Sequence, residues 1–136
     1  VFYYQPDKTK AKHTEQFIEL MRLSFKSDFV KIAEWLDLAS KVSRQEQIEF
    51  LAYSISLFRE CLIYNYSDKK LNTLSDFEHE FLKKFAKFIH QQNSILIIEL
   101  FEEATKNINR NANSKIIFFH LAMELITLLK VKYNFA

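Results

Sequence analysis

Apolar positions in this chain recur at intervals of three and four, the spacing that puts side chains on one face of an α-helix. A first helix is expected from about His13 to Lys26, with Phe17, Leu20, Met21 and Phe25 (or Ser24) as its stripe. Ser27 and Asp28 are helix-start residues, and Phe29, Ile32, Ala33 and Leu36 form the next stripe, to about Ser40. A third helix opens near Ser43, with Glu46 at the capping-box spacing. It carries two stripes on nearly opposite sides, Ile48, Leu51, Ile55, Phe58 and Leu62 against Phe50, Leu57, Cys61 and Tyr64. A helix apolar on two sides belongs in the middle of a bundle.

Asn65 to Thr73 is the longest expected loop, and residues 1–12 read as a lead-in or linker. Ser75 with Glu78 repeats the capping-box spacing ahead of a fourth helix that reaches about His90, with Phe77, Phe81, Phe85 and Phe88 down one face. Asn93 is the expected cap of a fifth helix holding Ile97, Leu100, Phe101, Ala104 and Ile108. Asn113 is the cap of the last, which runs to about Lys130. There His120, Glu124 and Thr127 make one polar strip, and apolar residues cover the rest of the circumference. Such a helix is either wholly internal or partly reserved for a partner. The expectation is an all-α, bundle-like single domain of five or six helices over residues 13–136.

Composition narrows this further. The 136 residues contain no glycine and one proline, where average usage would give about nine or ten glycines. Strand reversals and tight βα loops draw on glycine, whereas helices joined by Asn and Ser do without it. A phosphate-cradling loop and a dinucleotide fingerprint both need glycines and are excluded. Hydrophobic residues at 49%, 14 of them Phe, supply a core.

Charge and chemistry add little. The net charge is +2, and 17 acidic residues are interleaved with 19 basic ones, so no single basic face is evident. Lys8, Lys10 and Lys12 form one basic stretch, and Lys83, Lys84 and Lys87 another. No run reaches the length of a membrane span, and the lone Cys61, in an apolar stripe, reads as a buried core thiol of a cytoplasmic protein. No Glu has a His three residues after it, which disfavours a di-iron bundle. His120 and Glu124 share a face but read as a solvated strip, and Glu78, His79 and Glu80 read as surface. No catalytic residue, metal ligand, cofactor site or small-molecule substrate site is expected. The chain begins at Val1 in a segment that reads like the middle of something, as an excised C-terminal fragment or an N-terminally processed chain would.

Two stretches carry a resemblance: WLDLASKVSRQEQIEFLAYSISLFRECLI, from Trp35 to Ile63, and NINRNANSKIIFFHLAMELITLL, from Asn107 to Leu129. They resemble the C-terminal domain of bacterial DNA polymerase III clamp-loader subunits, the delta-prime kind of Bacteroidetes-like bacteria in particular. The sharper signal is Asn111-Ala112-Asn113-Ser114-Lys115-Ile116 with Arg110 before it, Ser114 standing where the family commonly has proline. Both residues suit a helix's first turn. The motifs that separate delta-prime from the related ATP-hydrolysing subunit lie upstream of such a domain.

The resemblance implies a non-enzymatic collar domain that holds the loader pentamer together for sliding-clamp loading in DNA replication. Its partners would be other clamp-loader subunits, with DNA contacted only through the complex and no membrane involved. Lys115, Phe118, Phe119, Ala122 and Met123 of the last helix are the expected subunit interface, while Arg110, Asn111 and Asn113 set the turn and cap. The alternative reading is a free-standing helical nucleic-acid-binding module using Lys83, Lys84 and Lys87.

Overall fold

A computed structural model of the chain describes residues 6–66 and 76–130, with the side chains of 6–11, Tyr66 and Phe77 excepted. Among these residues there are six α-helices and no strand: α1 (Pro6–Lys26), α2 (Phe29–Lys41), α3 (Arg44–Tyr66), α4 (Asp76–Phe85), α5 (Gln91–Asn109) and α6 (Ser114–Leu129). A single 3-10 turn, Ala86–Phe88, follows α4 directly. The domain is all-α.

The first helix begins at Pro6, seven residues before the expected start, so residues 6–12 are helix and not linker. Proline is tolerated there because its missing N–H would be unpaired in a first turn anyway. Lys12 then pairs with Glu46 of α3 at 3.4 Å. The expected loop from Asn65 lies outside the described residues beyond Tyr66, and Asn65 itself belongs to α3. The cap expected at Ser75 also lies outside them.

Helix α3 is central: it packs against α1, α4 and the 3-10 turn, and above all against α5. Both its stripes are buried, through Leu51, Ile55 and Phe58 on one side and Phe50, Leu57 and Cys61 on the other. Phe58 joins Phe17 of α1 at 5.2 Å and Phe101 of α5 at 5.0 Å, both edge to face. A second aromatic set, Trp35, Phe50 and Phe118, ties α2 and α3 to α6. Helix α6 packs on α5, α2 and α1.

A chain without glycine that closes a helix through the left-handed region has to place another residue there. Ser27 (φ 55°) and Asn111 (φ 65°) do so. After α1, the N–H of Asp28 bonds the Leu23 carbonyl at 3.1 Å and that of Ser27 bonds Ser24 at 3.2 Å. After α5, Ala112 N–H bonds Asn107 and Asn111 N–H bonds Ile108, each at 3.1 Å. Both are Schellman closures, in which the left-handed position normally favours glycine.

Polar side chains close the other ends. Gln47, buried in α3, donates to the Ala39 and Val42 carbonyls at the end of α2. Asn65 donates to the carbonyls of Ala86 and Ile89. Helix α5 starts two residues before the expected cap: His90 is the N-cap, its Nδ1 accepting from Gln92 N–H, while Asn93 Oδ1 accepts from His90 N–H at 2.9 Å. Asn93 is fully buried and also donates to the carbonyls of Phe88 and Leu128, which fastens the start of α5 to the end of α6.

Candidate interaction surface

The buried carboxylate of the domain is engaged by a tyrosine. Glu78, expected at the surface, is 1% exposed. The reason is Tyr53, whose hydroxyl donates to Glu78 Oε2 at 2.9 Å and is also hydrogen-bonded to Thr14, linking α3, α4 and α1. Burial raises the Tyr53 phenol well above its ordinary value, and the Glu78 carboxylate adds to this against the opposing effect of Thr14. Burial also pushes the Cys61 thiol up to about 12, which leaves it without the thiolate a nucleophile requires. No group of three His, Cys, Asp or Glu able to hold a metal ion occurs among the described residues. His120 and Glu124 are both exposed, as a solvated strip would be.

The outer face of α6 is different in kind. Asn113 starts this helix, its Oδ1 accepting from Ile116 N–H at 3.2 Å. With Asn111 in the left-handed turn and Arg110 as the C-cap of α5, these residues fix where α6 begins and hence which side faces out. Phe118, Leu121, Ala122, Leu125, Ile126 and Leu129 point into the core.

Two of the five expected interface residues are therefore corrected. Phe118 is 1% exposed, packed on Trp35 and Phe50, and Ala122, one turn later on the same inward face, is not exposed at all. The remaining three are at or near the surface. Phe119 is 53% exposed, and half-buried Met123 follows one turn later on the same face. Lys115 is exposed and forms an ion pair with Asp37 of α2 at 3.6 Å. Asp37 also takes Lys41 at 2.9 Å, and Lys41 first, then Lys115, hold its carboxyl below the usual range. These groups are solvated, so the tie contributes little to stability.

Ile116 was missed by the sequence reading, and it is 67% exposed. Its spacing to Phe119 and Met123 (i, i+3, i+7) was the available signal, masked by apolar residues all around the helix. Ile116 also lines a groove of about 220 Å³ between α5 and α6, where Leu100, Ala104, Ile117 and Leu121 form the apolar wall and Glu103, Asn107 and His120 the polar edge. An apolar centre with a polar rim is the anatomy of a protein-docking face.

Comparison with protein-family models, curated proteins and solved structures returned no match. Among the described residues no helix is long and apolar enough to cross a membrane.

Proposed function

We propose that this domain is a non-catalytic assembly module, a collar domain of a DNA polymerase III clamp-loader subunit of the delta-prime kind. Its work is geometric: a rigid helical body fixes neighbouring subunits so that nucleotide-driven movement elsewhere can open the sliding clamp. In that role it acts in the cytoplasm, grips sister subunits and meets DNA only through the complex.

The observation that supports this most is the exposure of Ile116 and Phe119 on a helix whose opposite face is already buried. Large apolar side chains in one exposed row have an unfavourable contact with water that a partner surface would relieve. The sequence likeness over Trp35–Ile63 and Asn107–Leu129 supports the choice of partner.

The test is reconstitution. Mixed with the other clamp-loader subunits, without DNA or nucleotide, the protein should co-elute in a defined complex on gel filtration. Failure to join that complex would remove the proposal. Tight binding of short duplex or single-stranded DNA by the protein alone, falling steeply with salt, would favour a nucleic-acid module instead.

A further inference from the structure

A second groove, of about 300 Å³, lies between α1 and α4, well apart in sequence from the α6 face. Its floor is aromatic. Phe25 lies against Phe88 with ring centroids 4.5 Å apart, Phe88 meets Phe85 at 5.3 Å, and Phe85 stacks on Phe81 at 5.1 Å. Phe81 and Phe85 are buried, while Phe25 is 47% exposed. Helical spacing alone lets either Phe25 or Ser24 complete the core stripe of α1. Ser24 takes the buried position, which turns Phe25 outward beside α4.

Three cations stand around this floor: Arg22 from α1, Lys84 from α4 and Lys87 from the 3-10 turn. All are exposed, and among the described residues none of them forms an ion pair. Lys87 Nζ instead sits 5.1 Å from the centre of the Phe88 ring. The groove's one carboxylate, Glu80, lies 3.9 Å from Lys83, which does not line it. An apolar floor with an unbalanced positive rim matches a ligand that brings an apolar side chain and carboxylates together.

We propose that this groove docks an acidic segment of a partner protein, seating an aromatic or aliphatic side chain against Phe25 and Phe88 with flanking Asp or Glu facing Arg22, Lys84 and Lys87. A single nucleic-acid strand would also meet the positive rim, but base stacking needs an open ring face. Here Phe81 and Phe85 are buried and stack on each other, and half-buried Phe88 has Lys87 against its ring, which leaves Phe25 and part of Phe88 open to the groove. The floor therefore offers one ring and part of another beside a pocket, which suits a side chain better than a base. This proposal is independent of the clamp-loader reading, because α6 contributes nothing to the groove.

The probe is a displayed random-peptide library panned against the folded protein, with selected peptides re-measured by fluorescence anisotropy. The expected winners carry Asp or Glu around a Phe, Leu or Trp. Their affinity should fall about tenfold or more in Lys84→Glu/Lys87→Glu and severalfold in Phe25→Ala, and should weaken as salt is raised. The distant charge reversal Lys106→Glu should leave it unchanged. Helical circular dichroism confirms that each variant folds, and the doubly charge-reversed protein carries the test alone should Phe25→Ala not fold. Peptides without acidic enrichment, equal affinity for the charge-reversed variant, no enrichment at all, or an oligo-dT strand that displaces every selected peptide would each overturn the proposal.

Discussion

Ser27 offers the cleanest energetic test of how this glycine-free chain turns. It holds φ at 55°, where the β-carbon of an L-residue crowds the following carbonyl and costs about 1–2 kcal/mol. Replacing it with Gly removes that crowding but frees the unfolded chain by about 0.5–1 kcal/mol. The difference predicts that Ser27→Gly stabilises the domain by about 0.5–1 kcal/mol. At this chain length that corresponds to a melting temperature about 2–4 °C higher. Asn111→Gly should gain less, since Asn visits the left-handed region more easily. Ala52, exposed in the interior of α3, gives the opposite sign: Ala52→Gly should lose about 1 kcal/mol. Thermal and urea unfolding followed by circular dichroism would read all three. If Ser27→Gly falls alongside Ala52→Gly, the strain argument for these turns is wrong.

Four further outcomes follow from burial. Phe118→Ala, which removes a ring packed on Trp35 and Phe50, should cost about 3–5 kcal/mol by urea titration, a large share of a typical domain's stability. Asn93→Ala should cost about 2–4 kcal/mol, because it strands the carbonyls of Phe88 and Leu128 and the N–H of His90. Cys61 should resist a thiol reagent such as DTNB in the native state and react at once in denaturant. Its folded pKa, and that of Tyr53, lie above their unfolded values. Their contribution to stability is thus complete below about pH 9 and lost as the pH climbs toward 12, and melts at about pH 8 and pH 10.5 should show the decline.

Helix number, order and most boundaries were legible in the sequence because the stripes kept a period near 3.6 and most restarts carried a capping residue, α5 with its His90 cap being an exception. Asn113 is one such signal, read directly as the cap of α6. Four things were not legible, for identifiable reasons. The extension of α1 to Pro6 has no apolar stripe to announce it, and the alternating lysines there read as linker. Glu78 looked solvated because its partner Tyr53 is distant in sequence and reaches it only in the folded domain. The outward face of α6 was ambiguous because hydrophobic residues surround the helix. Only packing against α1, α2 and α5 decides that Phe118 turns in while Ile116 and Phe119 turn out. Likewise Phe25 could be read either way until Ser24 took the buried site, so the aromatic groove was invisible along the chain.

The central claim is that α6 keeps an oily outer row for a sister subunit, and Phe119→Asp tests it with two readings on one protein. Unfolding should shift by no more than about 0.5–1 kcal/mol, as for a surface substitution. Assembly with clamp-loader subunits should be weakened by about tenfold or more, since a charge would enter a dry contact. Unimpaired assembly by a stably folded Phe119→Asp protein would contradict the account.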